Sequence, residues 1–192
     1  GIRTVLVVSR GGAGAEVWGR SLATGVGGDM TTIAAGSDEP GAIPDDGIVG
    51  QWELARSAGV RVHAHAGAGN SGDGAIRRLA GHLGPDVTLV HCTRLSDDDL
   101  DAVASSEAGV VVAPSEEMAG GIGMPPVQRL MDRQIRPGLG VGRETLAPGD
   151  QFAQMRAVIS VQHARYFDLK LAGKAGLPNL LNTRETIKFG TA

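Results

Sequence analysis

The chain has 192 residues, 42% of them hydrophobic and 3% aromatic, with a formal net charge of −3. That length can bury the core of one sizeable domain, and an acidic balance without a basic run excludes an electrostatic footprint for nucleic acid. A single cysteine, Cys92, excludes an internal disulfide and fits a reducing compartment. No apolar run reaches the roughly 18 residues of a membrane helix, and the start at Gly1 enters a strand-like run without a leader pattern. The expectation is a soluble cytoplasmic protein, with neither nucleic acid nor membrane as partner.

Strands alternate with helices along the chain. Residues 2–8 read as a buried strand, Gly11 to Gly14 as a glycine-rich turn, and residues 16–23 as a weak helix. A second strand spans 30–35 and a Pro/Asp/Gly loop 36–47. Ile48, Val49, Trp52 and Ala55 then recur at helical spacing over 48–57. Strands follow at 60–65 and 87–91, separated by a helix over 75–83. Ser96 with Asp97, Asp98 and Asp99 is an N-cap followed by first-turn acids, where the helix dipole favours them. That helix runs to about Glu107, and a fifth strand covers 109–113. Pro125 and Pro126 open a helix through Met131, the sixth strand spans 135–141, and a long helix spans 148–171. Asn182 and Glu185 form a capping box for a last helix to Phe189.

Six strands alternating with helices imply a mostly parallel α/β sheet, in one domain over 1–192. Two of the strands end in histidine, at Val62-His63-Ala64-His65 and Leu89-Val90-His91. In a parallel barrel, strand C-termini converge on one mouth where catalytic groups sit. His63, His65 and His91 are therefore expected there together, although 26 positions separate the last two. His63 shares the face of His65 by strand alternation. Cys92 reads as a buried inert thiol. His82 and His163 fall in helical patterns and read as packing residues. The turn at Gly11 lacks the Lys-Ser/Thr of a P-loop. Glu116 and Glu117 follow Pro114 at a strand end, where substrate contact and a solvated loop are equally good readings.

The segments GVRVHAHAG, VTLVHCTRLSDDDLDAVASSEAGVVVAPSEE, GMPPVQRLMDRQIRPGLGVG and PGDQFAQMRAV, within residues 59–191, resemble the amidohydrolase superfamily in its cytosine deaminase and triazine hydrolase branch. The resemblance implies a TIM-like (β/α) barrel, incomplete here, with about six β/α units corresponding to strands three to eight. It implies a hydrolase acting on a C–N bond of a small molecule, such as an amide, a cyclic amidine or an amino-substituted ring. His65 falls on the family's strand-five metal ligand, and His91 on the strand-six histidine that binds metal or polarises the reacting group. His63 is a further metal-ligand candidate, with orientation of a ligand or a place in the barrel interior as its other readings, and the implied cofactor is a divalent ion, zinc first and iron second.

Departures accompany these matches. The family's first-strand His-x-His pair is absent, Ala68 stands where a proton-shuttling acid is usual, and Gly142 stands where a metal-binding aspartate is usual. Glu144, two residues on, is the remaining carboxylate candidate for catalysis. Glu116 and Met118, in the segment 116–124, are candidates for substrate contact. The alternative is a metal-free relative that binds a small ligand or performs simple acid–base chemistry at His91. Open sheet edges lead to an expectation of further chain segments, or another copy of the chain, completing the barrel.

Overall fold

A computed structural model of the protein describes residues 4–9, 31–68 and 74–191. The glycine-rich turn expected at Gly11 to Gly14 and the helix expected over 16–23 lie outside these residues. The strands are β1 (Thr4–Ser9), β2 (Thr31–Ser37), β3 (Arg61–Ala66), β4 (Val87–His91), β5 (Gly109–Val112) and β6 (Gly138–Leu139). They form one six-stranded sheet in chain order. Pairing is parallel between β1 and β2, β2 and β3, and β5 and β6. The helices are α1 (Asp45–Ser57), α2 (Ala75–Arg78), α3 (Asp97–Ser106), α4 (Pro114–Ala119), α5 (Val127–Met131), α6 (Gln151–Leu171) and α7 (Thr183–Phe189), with a 3-10 turn at Ala80–His82. A parallel sheet whose strands follow chain order, with helices in the connections, is the β/α arrangement that the alternating pattern implies.

The chain divides into two compact units. The first comprises Gly1–Ala66, Asn70–Leu89 and Leu95–Gly109. Its core joins Val62, Ala64 and Ala66 of β3 with Ile48, Trp52 and Ala55 of α1, all essentially inaccessible. The spacing i, i+4, i+7 puts those α1 side chains on one stripe, and the buried indole N–H of Trp52 donates to the Ser37 hydroxyl at 2.9 Å. Asp99 is a buried clasp in this unit. It completes the Ser96 capping box at the start of α3 and also accepts from the backbone N–H groups of Gly74 (3.1 Å) and Arg77 (2.9 Å) at the start of α2.

The second unit comprises Gly67–Gly69, Val90–Arg94 and Val110–Ala192. Val127, Val158, Leu181 and Phe189 form its apolar core. Helix α6 buries Gln154, Val158 and Gln162, one per turn. Both glutamines have partners for donor and acceptor: Gln154 accepts from Ser115 N–H and donates to Pro148 O, and Gln162 accepts from Leu181 N–H and donates to Gln128 and Asn179. The expected Asn182–Glu185 capping box opens α7.

Three elements differ from the sequence-based reading. The sixth strand is only Gly138–Leu139, because Gln134 takes a left-handed φ of 60° and Ile135 N–H turns back to Leu130 O. That is a Schellman-type end to α5, and it uses up the residues expected to start the strand. The helix expected over 75–83 tightens into a 3-10 turn after Arg78. The segment beginning at Pro114, read as open between a substrate-contacting and a solvated loop, is the short helix α4, with proline in its first turn.

Candidate functional site

Strand β3 alternates cleanly. Val62, Ala64 and Ala66 are buried, while His63 is half-buried and His65 exposed. Both imidazoles therefore leave the strand on the face opposite its apolar core. Burial, followed by the neighbouring Arg61 charge, pushes the His63 imidazole below its ordinary value.

The second unit holds the chemically most distinctive group. At the end of β4, Cys92 N–H donates to Val90 O at 3.2 Å, closing a three-residue turn centred on His91. His91 and Cys92 have φ of 77° and 57°, values that side-chain-bearing residues seldom adopt. A three-residue turn with φ near +75° at its centre is the rare, strained γ-turn, and such strain persists only where surroundings over-determine it. Here they do. Arg94 N–H and the Thr93 hydroxyl both donate to Gly67 O, at 3.1 and 2.8 Å, and Thr93 also reaches Ile122 O. The His91 side chain is then held by Glu117 of α4, with Nδ1 3.0 Å from Glu117 Oε1.

Glu117 is fully buried and His91 is 3% exposed. The same Oε1 accepts Ala113 N–H at 2.8 Å, while Oε2 is buried with no hydrogen-bond partner among the described residues. Such a carboxylate is costly to bury. Cys92 is also fully buried, and burial, followed by the Glu117 charge, pushes its thiol far up and out of thiolate range. The inert-thiol reading of the sequence agrees with this placement.

Glu116, the neighbour of Glu117, is buried and accepts from Arg143 Nε at 2.5 Å, while Arg143 itself is largely exposed. Gly142 lies directly against this pair. Its φ is +69°, and a Cβ there would overlap the Glu116 carboxylate and stand 2.8 Å from Glu116 Cβ. Glu144 sits on an exposed turn with its side chain packed over Gly149. Met118 is 40% exposed on the solvent side of α4. A cavity of about 840 Å³ lies in the second unit, bounded in part by Thr93, Met124, Val127, Gln162 and Leu169. Its volume is in the range of small-molecule sites. His163, with Nε2 2.9 Å from Leu181 O, serves packing as expected.

Among the described residues, no three His, Cys, Asp or Glu side chains are grouped as metal donors must be. The described donors thus do not complete a tetrahedral centre. The residue that sequence reasoning undervalued is Glu117. Pro114 followed by Ser115, Glu116 and Glu117 is the one available signal, a proline at a helix start with acids in its first turn.

No protein-family model matches the chain. It is 24% identical over 156 residues to a 5'-deoxyadenosine deaminase of Methanothermobacter thermautotrophicus, covering 75% of this chain and 36% of that protein. It is 27% identical over 128 residues to a 5-methylthioadenosine/S-adenosylhomocysteine deaminase of Symbiobacterium thermophilum, covering 60% and 29%. Among solved structures, it matches a zinc-bound adenosine deaminase from Xanthomonas campestris with a TM-score of 0.73 at 16% identity, over 98% of this chain and 48% of that one. A triazine hydrolase variant matches with a TM-score of 0.72 at 17% identity, over 91% and 40%.

These matches indicate the amidohydrolase superfamily.

The amidohydrolase barrel is matched in part, since the chain spans about a third of the length of the two curated relatives. The (β/α)-barrel fold implied by the resemblance is therefore present as a partial barrel with a six-stranded sheet. The buried His91–Glu117 pair is the best-defined chemical group among the described residues.

Proposed function

We propose that the protein is a hydrolase that removes an amino group from a small ring-bearing molecule, with His91 as its proton-handling residue. The observation that carries this reading is the His91–Glu117 pair, buried at the strained end of a parallel strand. Strand C-termini are where barrels place their chemistry. The deaminase names of the curated relatives support the choice of a C–N bond. In hydrolytic deamination, water oxygen bonds to the ring carbon, the carbon–nitrogen bond breaks, and nitrogen leaves as ammonia with a proton that water supplied. An imidazole has one nitrogen to accept a proton and one to give it, which suits the carriage of that proton.

The resemblance implies a divalent metal, and the zinc named for the adenosine deaminase neighbour supports one in that protein. His65 and His63 are the residues of this chain proposed to face such an ion. The described donors do not complete a site for it. Glu116 is proposed to act on substrate through Arg143, whose exposed guanidinium it anchors, and Met118 to offer an apolar contact. Glu144, on its exposed turn, carries no step in this reading.

A second reading, a metal-free relative that binds a small ligand, is favoured by one specific observation. Gly142, where the family's metal-binding aspartate is usual, is packed against Glu116 with no room for a side chain. The separating experiment offers the protein amino-substituted purines and triazines with and without added zinc and follows ammonia. Ammonia release in the presence of zinc is expected. Tight binding of such a ring without ammonia under both conditions would replace the first reading with the second.

A further inference from the structure

We propose that Glu117 is a positioning residue that holds His91 in the tautomer with hydrogen on Nδ1, leaving the imidazole lone pair on Nε2. This rests on the reading of His91 as the proton-handling residue and names the group that decides which way the proton moves.

Glu117 Oε1 accepts Ala113 N–H at 2.8 Å, so that oxygen acts as an acceptor. His91 Nδ1 lies 3.0 Å from the same oxygen. A carboxyl oxygen that already accepts one N–H has a further lone pair for a second donor. With Oε1 as the acceptor, Nδ1 is the donor, and in a neutral imidazole the bond made by one nitrogen fixes the state of the other. Nε2 is left as a base or a ligand, not as an acid.

Two further features fit a part that is held rigidly. Burial of both side chains excludes water from competing for Nδ1. The γ-turn at His91 also sets the ring's origin, and the bonds from the Thr93 hydroxyl and Arg94 N–H to Gly67 O anchor the residues that follow it. Glu117 is therefore more than a cap for Ala113, because a cap alone requires neither the imidazole nor a buried charge.

Nitrogen-15 NMR of the full, labelled protein reads the tautomer directly. The unmodified protein is expected to show His91 with hydrogen on Nδ1 and an unprotonated, pyridine-like Nε2. Glu117→Gln keeps an acceptor oxygen at the same place and should keep that pattern. Glu117→Met removes the acceptor and should shift His91 toward the Nε2-protonated form, with kcat/KM falling about 10- to 100-fold, the usual effect of losing a group that orients a site imidazole. A folded Glu117→Met with an unchanged tautomer, or Nε2–H in the unmodified protein, would overturn the proposal. The tautomer is read without substrate, so failure to release ammonia would count against the function alone.

Discussion

Gly142 shows how a single residue changes the meaning of a motif match. Aligned with the family, it invites restoration of the missing aspartate and a gain in metal affinity. In the folded chain its φ of +69° and its contact with Glu116 leave no space for a Cβ. Gly142→Asp is therefore expected to strain the backbone by about 1–3 kcal/mol and to displace the Glu116–Arg143 ion pair. Thermal unfolding should show a lowered Tm without tighter metal binding. A variant as stable as the parent that also binds zinc stoichiometrically would contradict this account of position 142. His91 and Cys92 were legible in the sequence as a strand-end histidine and a buried thiol. Simple alternation sends their side chains to opposite faces. Two successive left-handed residues break that alternation, and no residue type in Val90-His91-Cys92 announces them.

At the scale of elements, caps were the most legible feature, because a cap is a local bargain between one side chain and the nearby N–H groups. Ser96 with Asp99 and Asn182 with Glu185 both form the boxes that their spacing implies. Asp99 does more than the spacing shows, since it also receives the start of α2. Burial works against its charged form, but hydrogen bonds from Arg77 N–H, the Ser96 hydroxyl, Gly74 N–H and Ser96 N–H outweigh that, so its carboxyl titrates below the ordinary value of 3.8. A depressed folded value means that Asp99 stabilises the fold above the unfolded value and loses that contribution as pH falls through the folded one. Asp99→Asn should cost about 1–3 kcal/mol near neutrality and flatten the acid limb of stability against pH. Denaturant titrations from neutral to acidic pH check this, and parallel profiles for parent and variant would refute it. Helix α4 was not legible in the same way. Six residues span too few turns to show helical periodicity, and Glu116 and Glu117 carry no local sign that Arg143 and His91 await them.

For the whole molecule, the alternation of strands and helices was the strongest signal, and the parallel sheet in chain order follows from it. No helix among the described residues is long and apolar enough to cross a membrane. The chemistry was harder to read because it depends on pairs distant in sequence, such as Glu117 with His91, 26 positions apart. His91→Asn tests most directly whether His91 carries the proton in a hydrolytic deamination. Asparagine tolerates the left-handed backbone at this position, so the turn survives while the imidazole is lost. With the substrate identified by ammonia release, kcat/KM is predicted to fall by about 10²- to 10⁴-fold, as expected for loss of a general acid–base group, with Tm little changed. A folded His91→Asn protein that releases ammonia at the parent rate would contradict the account.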